Sequence, residues 1–138
     1  MFIGHFAVAL AAKRTAPRVS LGILFAASQL IDLVWPVFLL LGWGRVRIAP
    51  GDTAFTPLDF PHYPWSHSLR AMAFWGVALA VTWVALKRGT PMAAIVIMAV
   101  VVSHWVLDWI THRPDMPLTI GGEGRYGLGL WHSMGGTL

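Results

Sequence analysis

Apolar residues run almost unbroken through residues 20–42, 69–86 and 91–111. Each run reaches or nearly reaches the roughly 20 residues a helix needs to cross a bilayer. They predict three spanning helices. A fourth apolar run, residues 2–12, is too short to cross a hydrocarbon core of about 30 Å and is expected to dip into the membrane or lie along it. Its positive charges, Lys13, Arg14 and Arg18, follow the run instead of preceding it, so it reads as part of the mature protein and not as a signal peptide. Between the spans, residues 43–68 form a polar loop, and residues 112–138 a C-terminal segment. The expected fold is a single all-α domain over residues 1–138: a polytopic membrane helical bundle of three spanning helices plus a short N-terminal half-helix. Residues 127–138 turn apolar again and then stop, so a further C-terminal span is expected to be missing from the chain.

Composition supports this class. Hydrophobic residues make up 57% of the chain and charged residues 12%, with a mean hydropathy of +0.65, whereas a soluble domain carries about 25% charged residues. The net charge of +4 comes from short basic clusters beside apolar runs, the membrane pattern and not a nucleic-acid surface. Cysteine is absent, so thiolate ligands and nucleophiles are excluded, and any metal must be held by His, Asp or Glu.

Lys13, Arg14 and Arg18 precede the first span, and Lys87 and Arg88 join the second to the third. These two compact basic loops share one side, cytoplasmic by the positive-inside rule. Arg45, Arg47, Arg70, Arg113 and Arg125 lie on the other side, so the count of basic residues alone does not orient the chain. Trp43, Trp65, Trp105, Trp109 and Trp131 gather towards that second face as an aromatic belt would.

The ionisable residues of the spans converge on the same half. Asp32 lies midway along the first span, where an aspartate costs about 2.5 to 3.5 kcal/mol to insert and needs a partner. His104, Asp108 and His112 stand at i, i+4 and i+8 in the third span, one stripe near the end that Pro114 terminates. His62 and His67 enter the second span from that side, with Asp59 just upstream, and His5 starts the N-terminal segment there. Imidazole and carboxylate suit zinc, manganese or iron, and a dication would offset the cost of buried aspartates. Plainer readings stay open: His104 and Asp108 as an interhelical hydrogen-bonded pair, Asp32 as a salt bridge to Arg70 or Arg45, and His62 and His67 as interfacial histidines. His112, Asp59, Asp115 and His132 read as near water.

Four short motifs carry a resemblance. They are Gly4-His5, Ile31-Asp32-Leu33, the run His62-Tyr63-Pro64-Trp65-Ser66-His67-Ser68, and His104 with Asp108 and Thr111. In order and spacing the chain resembles small bacterial and archaeal inner-membrane proteins known as membrane-bound metal-dependent hydrolases, with motifs distantly like zinc-dependent phospholipase C. The chain departs from the family where Val34 replaces a second aspartate, and where Tyr63 and Pro64 replace Arg and Gly. The resemblance implies one or two zinc ions held by His5, Asp32, His62, His67, His104 and Asp108. It also implies a metal-activated water attacking a phosphoester or lipid-like substrate, with Asp59 or one of the buried aspartates, Asp32 or Asp108, as proton acceptor and Arg70 as the cation facing an anionic substrate. Three rival readings remain: a transporter or ion pathway built on the same charges, a haem-binding electron carrier with two of the histidines as axial ligands, against which the aspartates argue, and a non-enzymatic subunit with a structural metal. The bilayer is the expected partner, with a homo-oligomer or a membrane complex left open. The expected location is the inner membrane, with the site in the non-cytoplasmic half.

Overall fold

The computed structural model describes residues 2–86 and 89–133. Lys87 and Arg88 of the second basic loop, and the residues after Ser133, lie outside the described residues.

Among the described residues, six α-helices form most of the fold: α1 (Phe2–Thr15), α2 (Leu21–Ser28), α3 (Leu30–Leu40), α4 (Pro64–His67), α5 (Leu69–Ala85) and α6 (Pro91–Thr111). Their starts follow from local chemistry. Ser20, Ser68 and Thr90 each accept a hydrogen bond from the amide three residues on, and Pro91 occupies the first turn of α6. The bundle is not purely helical as expected. Strand β1 (Arg45–Ile48) pairs antiparallel with β2 (Leu58–His62), and β3 (Met116–Pro117) with β4 (Arg125–Tyr126).

α6 is the central element. With 21 residues and a mean hydropathy of 2.0 over its most apolar window, it is long and apolar enough to cross a membrane. α1, α2 and α5 pack on it, burying Leu24, Met72, Ile97 and Val101. Gly76 of α5 allows the close approach, because a Cβ there would stand 3.1 Å from Met98 Cγ and 3.2 Å from the Met98 carbonyl. α5 is apolar but, at 17 residues, about 25 Å long.

The first apolar run departs most from expectation. It is not one straight helix but α2 and α3, bent by 47° at Gln29. A side chain entering the backbone ladder is a known cause of such a bend, and here His104 of α6 bonds the Ser28 carbonyl at the break. The bend also makes Asp32 a first-turn residue of α3, where the helix dipole favours a carboxylate. α1, expected at the surface or dipping in, packs against α2 and α6 with His5 and Ala9 buried.

Past α6 the chain turns back. Leu128 and Gly129 donate their amides to the Trp109 and His112 carbonyls at 2.8 and 2.7 Å, capping the helix end. Gly129 takes a left-handed φ of 75°, and a Cβ on Gly127 would collide with the Arg113 and His112 carbonyls. This return lays Trp131 on His112, ring centroids 4.1 Å apart.

Candidate metal centre

Five of the six expected ligands meet where α1, α3, α4 and α6 approach one another. His5, His67, His104 and Asp108 are buried, and the Asp32 side chain is 34% exposed. His104 Nε2 lies 3.1 Å from Asp108 Oδ2 and 3.5 Å from Asp32 Oδ1. His67 Nε2 lies 3.4 Å from Asp32 Oδ1 and 3.9 Å from Asp108 Oδ2. His5 Nε2 lies 3.2 Å from Asp108 Oδ1.

Hydrogen bonds on the far side of two rings define their tautomers. A carbonyl can only accept, so His104 Nδ1, 2.8 Å from the Ser28 carbonyl, carries a proton. For His67 the relay is one step longer. Ser66 donates its hydroxyl to the Tyr63 carbonyl at 3.2 Å, and therefore accepts from His67 Nδ1 at 2.8 Å. In the neutral form of each ring, Nε2 then holds a lone pair facing carboxylate oxygens. Such an arrangement is repulsive unless a cation lies between.

A proton on the ring or a metal ion could supply that cation. The donor set and spacing fit a metal ion. His104 Nε2 makes no hydrogen bond of good geometry to either of the two nearby carboxylates, although it stands 3.1 Å from the nearer one. Ligands around zinc, with bonds of about 2.0–2.2 Å, stand about 3.4 Å apart at a tetrahedral edge; four of the five separations above, 3.1 to 3.5 Å, are close to this, and the fifth, His67 to Asp108, is 3.9 Å. Two overlapping triads have ligand atoms mutually within 4.8 Å: His5, His104 and Asp108, and Asp32, His67 and His104. His5 and His104 stack with parallel rings 3.7 Å apart. Two imidazolium rings at that distance would repel strongly, so at most one is protonated. Burial lowers the pKa of His67 below the ordinary histidine value, favouring the neutral ring a metal requires.

The remaining expected residues are placed elsewhere. His62 is exposed at the end of β2 and belongs to neither triad. Asp59 does not face the cluster. Leu58 and Phe60 on either side of it line the cavity, and strand alternation turns Asp59 to the opposite face, where it pairs with Arg113 and Arg47. Arg70 lines a different cavity, which removes it from the role of substrate cation here. Nor does Asp32 use Arg70 or Arg45, since the described ion pairs of its carboxylate are with His67 and His104.

A cavity of about 220 Å³ opens over the cluster. Its polar floor includes Asp32 and Asp108, and Trp35, Phe55, Phe60 and Trp131 form its walls. Two lining residues were not expected there. His112 is buried, not solvated, and its Nδ1 lies 3.0 Å from Asp115 Oδ1. Tyr63 donates its hydroxyl to the same oxygen at 3.0 Å. Burial and then the Asp115 charge raise the Tyr63 pKa well above the ordinary phenol value, so it stays a donor. The i+8 position of His112 on the stripe was the available signal. Tyr63 carried none, because its partners lie about fifty residues away.

Arg113 holds the mouth together. It pairs with Asp52 and Asp59 of the polar loop and with Asp115, tying the loop to the end of α6. Burial opposes its charge, yet Asp52, Asp115 and Asp59 together raise its pKa. The chain matches no protein-family model, no curated protein and no solved structure.

Proposed function

We propose that this chain is a multi-pass protein of the inner membrane that binds one divalent metal ion, zinc by its donor set, and hydrolyses a lipid-like substrate such as a phosphoester. The observation that carries the reading is the pair of histidines, His67 and His104, whose Nδ1 atoms are engaged and whose Nε2 atoms face Asp32 and Asp108.

Membrane embedding draws support from the outside of the bundle. Large apolar side chains are exposed on four helices, among them Ile3 and Leu10 of α1, Leu33 and Val37 of α3, Phe74 and Val81 of α5, and Ile95 of α6. Apolar surface spread in this way suits lipid, not water. Arg18 and Gly89 line one cavity, so the loops before α2 and before α6 are neighbours at the end of α6 remote from the cluster. This favours the site lying in the half opposite the basic loops.

The two triads share His104, and a single imidazole lone pair serves one ion. We therefore assign one centre and not two. A bound zinc would polarise a water and a substrate oxygen. The chain supplies the rest. Because the Asp115 carboxylate can only accept, His112 donates through Nδ1 and keeps Nε2 as its basic nitrogen, on a ring that lines the cavity. His112 is then better placed than Asp59 to receive a proton from the attacking water. The aromatic walls exclude water around an acyl or similar apolar group. The open cavity over the cluster supports this reading over a metal that merely staples helices, whose coordination would be closed.

The test is hydrolysis of bis-p-nitrophenyl phosphate and of a fluorogenic phospholipid by purified protein, after chelation and after zinc is restored. Zinc should restore turnover in wild type and not in Asp108→Asn. Absence of turnover with zinc, manganese or iron on every substrate would reject the hydrolase reading.

A further inference from the structure

A second cavity, of about 350 Å³, lies between α3, α4, α5 and the segment near Ile120, apart from the metal centre. Its walls include Phe38, Trp43, Trp65, Phe74 and Trp75, with Arg70 as the charged member. The rings form a preassembled cradle. Phe38 stacks on Trp43 with centroids 5.5 Å apart, Trp43 meets Trp65 at 5.7 Å, and Trp75 donates its indole N–H to the Trp65 carbonyl at 3.2 Å. Arg70 is exposed and, among the described residues, has no carboxylate partner.

The sequence of α5 continues the cradle in one direction. Arg70, Phe74, Val77, Val81 and Val84 follow at steps of four, three, four and three, which places them on one helix face. All five are exposed. A cation therefore stands at the end of an apolar stripe, and Phe74 belongs to both stripe and cavity. This is the layout of a phospholipid, with a charged phosphate at one end and an acyl chain running along the helix. A soluble anion would match Arg70 but would leave the stripe unused.

We infer that this cavity binds an anionic phospholipid of the surrounding bilayer, its phosphate on Arg70 and its first acyl carbons among the aromatic rings. The inference rests on the membrane reading above and does not depend on the metal or on hydrolysis.

The protein, purified in a mild detergent, would be offered equal amounts of phosphatidylglycerol and phosphatidylcholine, and the lipids it retains counted by native mass spectrometry. Wild type should retain phosphatidylglycerol about fivefold over phosphatidylcholine, the preference one interfacial arginine provides. Arg70→Gln should abolish the preference while its near-ultraviolet tryptophan spectrum stays unchanged, and Asp108→Asn should keep it. Equal retention of both lipids by wild type, or an undiminished preference in Arg70→Gln, would overturn the proposal. Displacement of phosphatidylglycerol by millimolar inorganic phosphate would overturn it too, since the site would then be one for free phosphate. Carbonate extraction of membranes separates this result from failure of the membrane reading: a chain that washes off refutes embedding, whereas one that stays and shows no preference refutes the lipid site alone.

Discussion

His104 on α6 donates its Nδ1 proton to the Ser28 carbonyl at 2.8 Å, at the point where the first apolar run bends. The bond links backbone geometry to chemistry. The bend exposes a carbonyl, the carbonyl selects the tautomer, and the tautomer turns the lone pair of Nε2 towards Asp108 and Asp32.

Ser66 does for His67 what Ser28 does for His104, but through a side chain that can be removed. Outer-shell partners of metal-bound histidines typically contribute about 10- to 100-fold in metal affinity. Ser66→Ala should therefore weaken zinc binding by about tenfold or more while leaving the helical circular-dichroism signal intact. Competition with a fluorescent chelator measures this directly, and unchanged affinity would show that Ser66 does not position His67.

Tyr63 gives the fold a dependence on alkaline pH. Its pKa is raised in the folded state, chiefly by burial and then by Asp115. Below about pH 10 the phenol is neutral whether the chain is folded or unfolded, and the stabilisation is complete. Above that, the unfolded chain ionises first, so stability falls with rising pH. Thermal unfolding between pH 8 and 11 should show this loss in wild type and a flatter profile in Tyr63→Phe.

Arg113 bridges three carboxylates around the cavity mouth. Arg113→Ala leaves Asp52, Asp59 and Asp115 without their shared cation, with only Arg47 still beside Asp59. The partners are partly exposed, so water screens them and the expected cost is modest, about 1–2 kcal/mol. Denaturant unfolding in detergent should show the loss. Relieving the repulsion with Asp52→Asn and Asp59→Asn in the same chain should recover part of it.

The sequence showed some of this plainly and hid the rest for physical reasons. The stripe of His104 and Asp108 was readable because helical periodicity puts residues four apart on one face, and α6 is long and apolar enough to read as a span. The bend at Gln29 was not readable, since its partner is a histidine 76 residues away and the surrounding run looks uniformly apolar. Asp59 looked like part of the site by proximity to His62. The short strand that turns it away depends on pairing with Arg47 and Ile48 across a loop. Arg70 looked like a substrate cation because it follows the His67 motif by three residues, yet the turn from α4 into α5 directs it to the other cavity. In each case long-range packing decided what the local pattern left open.

The most direct measurement is the metal content of protein purified without added metal or chelator, by inductively coupled plasma mass spectrometry. X-ray absorption at the metal edge would be read on the same sample. One ion per chain in a shell of nitrogen and oxygen donors, lost in a His104→Ala, Asp108→Ala double variant, is the predicted result. A wild type and a double variant carrying the same trace metal would contradict the metal centre, and with it the proposed chemistry.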